Sequence, residues 1–97
     1  ALLVMNTFVQ KWQEGEFDGY RHENLISCGL AAEVSGESSS VKDNRKKKAE
    51  REFWLPTGRK VFCENHVKLP DGFRLHFYVA SDERKIYVAY LGVHLTL

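Results

Sequence analysis

Cysteine is scarce in this chain: Cys28 and Cys63 are the two present among 97 residues. Two cysteines cannot make a disulfide scaffold, and no CxxC pair or Cys/His cluster has the spacing of a structural zinc site. They read as two semi-buried thiols in a reducing compartment, so a cytoplasmic location is expected. Excess charge of one sign is also absent, with 14 Lys plus Arg against 13 Asp plus Glu and a net charge of +1. That balance excludes a strongly basic nucleic-acid coat protein but leaves room for a local basic patch. No long hydrophobic run occurs. The apolar opening from Ala1 to Met5 is far short of the roughly 20 residues that span a bilayer. It also lacks the basic start and small-residue cleavage site of a signal peptide. A first residue already inside an apolar pattern favours a piece of a longer chain over simple removal of an initiator Met. GxGxxG, Walker, HExxH and GxSxG signatures are all missing. Gly58-Arg59-Lys60 lacks the upstream glycine of a phosphate loop.

What is present describes a small globular domain. Hydrophobic residues make up 43% and charged residues 28%, which is not the composition of a disordered tail. The length fits a single domain over 1–97 with one core, and excludes a two-lobed enzyme. A helical part is expected over about 1–50 and a sheet part over about 51–95.

Leu2, Met5, Phe8, Val9 and Trp12 fall on one helical face. Gly15 and Gly19 break that helix, and a second is expected from about Glu23 to Val34, with Gly29 inside it. Ser35-Gly-Glu-Ser-Ser-Ser40 is the clearest loop. The charge run from Val41 to Arg51 then reads as a solvated helix or an extended basic arm. From Glu52 onward the apolar period is two. Turns are expected at Pro56-Thr57-Gly58, Pro70-Asp71-Gly72 and Ser81 to Arg84. Tight turns between sequential strands imply antiparallel pairing. The expected class is α+β: two or three N-terminal helices packed on a three- to four-stranded antiparallel sheet.

Histidine placement points to chemistry. His22 precedes a helix, whereas His66, His76 and His94 lie in the sheet half. Phe73, Leu75, Phe77 and Val79 form one face of a strand, and Arg74, His76 and Tyr78 form the outward face. His66 and Lys68 lie on the preceding strand, and His94 lies beyond the last one. If these strands pair, imidazole and cationic groups meet on one sheet face. Such a set can hold a phosphate and move protons, because Arg and Lys stabilise phosphorane-like charge and His titrates near neutrality. Metal-free ribonuclease chemistry needs those roles: activate the 2′-OH, hold the phosphate, protonate the leaving oxygen. His66, His76 and His94 could also gather around a metal, but their spacing does not demand one, so no metal or cofactor is expected. The structural alternative pairs Arg74 with an acid and leaves the histidines to satisfy backbone groups.

The run from His66 to His94, HVKLPDGFRLHFYVASDERKIYVAYLGVH, resembles the last three strands of the RelE/ParE toxin superfamily (RelE/YoeB/HigB-like) over roughly 60–95. The resemblance implies two N-terminal helices followed by an antiparallel sheet. It places Arg74 where the family's strand Arg contacts the scissile phosphate. His94 falls where a terminal-strand His serves as general acid or phosphate ligand. Lys68 lies near the basic positions of the preceding strand, and His66 stands in for another member's base. The implied activity is mRNA cleavage on the ribosome, with an antitoxin protein as partner. Lys42, Arg45, Lys46, Lys47, Lys48 and Arg51 would add phosphate contacts to the RNA.

The same fold also hosts non-nucleases. A second reading is therefore a non-catalytic RelE-fold module that binds protein or nucleic acid, as the C-terminal domain of a larger protein. A third is a homodimer through a sheet edge, because the last strand is apolar on both faces.

Overall fold

A computed structural model describes residues 2–95. The chain runs through α1 (Leu2–Gln13), α2 (His22–Ser27), β1 (Val34–Ser35), α3 (Ser39–Lys42), α4 (Arg45–Glu50), β2 (Glu52–Trp54) and β3 (Lys60–Phe62). It continues through β4 (Asn65–Lys68), a 3-10 turn (Pro70–Gly72), β5 (Phe73–Ala80) and β6 (Lys85–Val93). The main sheet is antiparallel in the order β1-β4-β5-β6, and β2 pairs with β3 in a separate sheet. This is the expected α+β class, although every helix after α1 is short. No helix among the described residues is long and apolar enough to cross a membrane.

The first helix forms as its spacing predicts. Met5, Phe8 and Trp12 are its buried residues. It ends at Gly15, whose φ of 88° lets Gly15 N–H reach the Trp12 carbonyl and Glu16 N–H reach the Lys11 carbonyl, the paired bonds of a Schellman cap. The Arg84 guanidinium adds a bond to the Trp12 carbonyl (3.1 Å), tying the helix end to the β5–β6 turn.

The second helix is shorter than its apolar pattern implies. Gly29 at φ 109° repeats the same cap: Gly29 N–H bonds the Ile26 carbonyl and Leu30 N–H the Leu25 carbonyl. That cap stops α2 and frees Val34–Ser35 to pair with His66 and Val67 at the sheet edge. The charge run splits into α3 and α4, with the Asn44 side chain accepting from Lys47 N–H as the N-cap of α4.

Two apolar clusters flank the main sheet. Met5, Phe8, Trp12, Leu25 and Leu30 pack on Val67, Leu75 and Phe77. On the other side Leu55, Val61 and Cys63 pack with Phe53, Tyr78, Tyr87 and Ala89. Each large apolar side chain so buried contributes about 1.5–3 kcal/mol. The face of β5 expected to point outward is therefore covered. Phe53–Leu55 and Val61–Cys63 do not extend the main sheet. They form a hairpin that folds back over it, because their own alternate residues are apolar and need burial. The register is the one that brings the polar groups together: His66 pairs with His76 and Lys68 with Arg74. An irregularity between His76 and Phe77 in the β5–β6 pairing sets Tyr90 opposite His76.

Candidate functional site

Five segments converge on one cleft. β4 supplies His66, β5 supplies Arg74 and His76, and the chain just past β6 supplies His94. The loop after β1 supplies Glu37, and the end of α4 supplies Arg51. The cleft holds about 20 Å³, room for about one water, so a larger ligand would lie across its mouth.

Its floor is a buried ion pair. Arg51 Nε donates to Glu37 Oε1 at 2.7 Å, and the two side chains are 2% and 6% exposed. Arg51 Nη1 also donates to the Lys47 carbonyl at 2.8 Å and lies 3.6 Å from Glu50. Burying a cation in this way needs all of these partners, since an unpaired buried charge costs several kcal/mol.

The two paired histidines sit against this floor with stacked rings, 5.0 Å between centroids. His76 Nδ1 donates to the Cys63 carbonyl at 3.0 Å, and His66 Nδ1 donates to the Glu64 carbonyl at 3.1 Å. Because carbonyls only accept, Nδ1 of both rings carries a proton. The Ser35 hydroxyl lies 3.4 Å from His66 Nε2. His76 is buried, and burial is the main reason its pKa falls below the ordinary value. The bond to Cys63 opposes this, His66 and Arg51 add to it, and Glu37 opposes it. His76 is thus neutral at physiological pH.

Arg74 and His94 stand nearer the surface. Arg74 Nη1 bonds the carbonyl of its neighbour Phe73 at 2.9 Å. Among the described residues no carboxylate pairs with it. His94 is held by its backbone N–H, which donates to the Gly72 carbonyl at 3.0 Å, while its Nδ1 lies 3.3 Å from the Leu95 carbonyl. The turn that receives it needs two consecutive left-handed residues, Asp71 at φ 61° and Gly72 at φ 79°, the Asp-Gly preference of such turns. Nearby, the Tyr90 hydroxyl donates to the Val93 carbonyl at 2.6 Å and its ring lies edge-on to His76. A side chain at Gly92 would come within 2.9 Å of that hydroxyl.

The expected residues divide cleanly. Arg74, His66 and His94 share the cleft. Lys68 does not line it. Its ammonium lies 3.3 Å from Glu33 at the surface, although its backbone pairs with Arg74. In the basic run, Arg51 is the buried ion-pair partner of Glu37 and does not face solvent, because its position at the end of α4 points it under the loop after β1. Lys42 is bound to Glu64 at 3.0 Å. Arg45, Lys46 and Lys48 are exposed and Lys47 is half-buried. Both parts of the structural alternative are answered: His66, His76 and His94 do meet backbone carbonyls, and among the described residues Arg74 does not pair with an acid.

Glu37 escaped the sequence reading because it lies inside a Ser-rich stretch that reads as a loop. A lone acid in such a loop, upstream of a buried-capable Arg, was the available signal. Glu37, His66 and His76 have ligand atoms within 4.8 Å of one another, close enough to share a metal ion. Glu37 is committed to Arg51, however, and both Nδ1 atoms to carbonyls. A dication held through the Nε2 atoms would leave the Nδ1 bonds in place but would have to share Glu37 with the Arg51 guanidinium. Cysteine chemistry is also unfavoured, since burial pushes the Cys63 thiol up to about 11.

No family model, no curated protein and no solved structure matches the chain.

Proposed function

We propose that this protein is a RelE-like endoribonuclease that cleaves mRNA on the ribosome by acid–base chemistry. The observation that carries the reading is Arg74: a guanidinium without a carboxylate partner among the described residues, in one cleft with three histidines. In this reading a phosphate sits at the cleft mouth and takes the free donors of Arg74. His66 Nε2 accepts the proton of the attacking 2′-OH, and His94 protonates the departing 5′-oxygen. His76 does not touch the substrate. It is a positioning residue that stacks on His66. Lys68 adds positive charge from the neighbouring strand position. The same reading calls for an antitoxin protein that silences the cleft.

The test is cell-free translation with the purified chain beside Arg74→Ala. Ribosome-dependent mRNA cleavage by the parent is expected, with a loss of about 100-fold or more in the variant and an unchanged circular dichroism spectrum. A well-folded parent that cuts no mRNA overturns the proposal. The small volume of the cleft favours one other reading, a non-catalytic RelE-fold module that holds phosphate at Arg74 without cleaving. It predicts RNA binding that is weakened in Arg74→Ala and no cleavage by either protein.

A further inference from the structure

The β2–β3 hairpin buries one face and leaves the other open. Phe53 and Val61 point into the second apolar cluster. Alternation then puts Glu52, Trp54, Lys60 and Phe62 on the opposite face, where Trp54 pairs with Lys60 and Glu52 with Phe62. Trp54 is 70% exposed, the more notable because the other tryptophan, Trp12, is 2% exposed. Lys60 Nζ lies 5.9 Å from the Trp54 ring centre, and Lys48 Nζ, reaching across from α4, lies 5.5 Å from that of Phe62. Arg45, Lys46 and Lys47 precede Lys48 in α4. Among the described residues none of these cations has a carboxylate partner, and Glu52 is the acidic residue on the hairpin face.

We infer that this face is a binding platform for single-stranded RNA. Two aromatic rings at diagonal positions of a hairpin, the exposed Trp54 and the half-buried Phe62, each with an ammonium over it, match a strand of stacked bases and phosphates. The flat rings take bases without regard to sequence, and the lysines take the backbone. A protein partner of acidic character would use the lysines but has no need of an exposed indole. A duplex would hide its bases from it. The inference rests on RNA as the ligand class of the proposed function, and it gives that substrate a second anchoring surface, on residues other than those of the cleft.

The test measures fluorescence anisotropy of a labelled 2′-O-methyl oligouridine, which lacks the attacking hydroxyl and is not cut. The parent should bind it, with Trp54→Ala about tenfold weaker and Trp54→Phe close to the parent. Lys48→Ala with Lys60→Ala should weaken binding and flatten its salt dependence. Arg74→Ala should retain the Trp54-dependent part of binding, so a failure of the cleavage reading leaves this result standing. Trp54 is exposed enough that its loss should leave the fold intact, which circular dichroism checks. The inference is overturned if the parent does not bind the oligonucleotide, if Trp54→Ala binds as the parent does, or if a duplex binds equally well. It is also overturned if poly-glutamate displaces the RNA as readily as unlabelled RNA does.

Discussion

The two faces of the main sheet are built on different principles. The helical face is a continuous apolar core of Phe8, Trp12, Leu25, Leu75 and Phe77, with aromatic rings in tilted and edge contacts. The hairpin face mixes a small apolar cluster with buried Arg51, His76 and the carboxylate of Glu37. On the first face shape complementarity decides stability. On the second, each polar group depends on named partners, so removing one strands another. Stability is concentrated on one side of the sheet and chemistry on the other.

That contrast can be broken from either side. The largest effect is expected for Phe77→Ala, which empties the centre of the helical face and should cost about 3–5 kcal/mol in urea unfolding. Next comes Glu37→Gln, which takes the buried carboxylate from the Arg51 guanidinium and leaves it the more exposed Glu50. It should cost about 3 kcal/mol. Combining it with Arg51→Met should recover most of that loss, because the stranded charge is then gone. A double variant as unstable as the sum of the singles would show that the ion pair is not the unit.

The smallest effect is the pH dependence of the hairpin face. Folded His76 binds a proton less readily than the unfolded chain, whose His titrates near 6.5. Above that pH neither state holds the proton and the stability is fully present. As pH falls below it, the unfolded chain takes up a proton that the folded chain refuses. Stability should then decline by at most about 1.4 kcal/mol per pH unit until the folded group titrates. His76→Asn should show a shallower decline below pH 6.5 in the same unfolding series. Parallel declines would remove His76 as the cause.

The helical face was legible in the sequence because helix and strand periods both mark it: Met5, Phe8 and Trp12 on one side, Leu75 and Phe77 on the other. The Pro70-Asp71-Gly72 turn and the shared face of His66, Lys68, Arg74 and His76 were legible, but the register was open until the structure set His66 opposite His76 and Lys68 opposite Arg74. The hairpin face was not legible. Phe53, Leu55, Val61 and Cys63 alternate as a strand of the main sheet would, and period alone does not say which sheet a strand joins. Nor does it say that Arg51 turns inward, since a cation in a run of cations reads as solvated until a buried carboxylate claims it. Gly29 was visible, but its left-handed φ follows from a local cap that competes with an otherwise continuous apolar pattern.

The order of contributions along the chain has a consequence for assembly. Glu37 and Arg51 precede the strands they lie against, and His94 follows them. Without the 36–63 excursion the α1–sheet half would be chemically blank, with His76 wet and neither Glu37 nor Arg51 beside it. The cleft comes into being when the 36–63 excursion docks on the finished sheet and the backbone of His94 closes onto Gly72. The side-chain contacts that close it, Arg51 with Glu37 and His76 with Cys63, span 14 and 13 residues, whereas the Arg84 bond that ties α1 to the β5–β6 turn spans 72. The cleft is therefore a local addition to a sheet whose helical side is held by long-range contacts, and it is complete when all of its segments are in place.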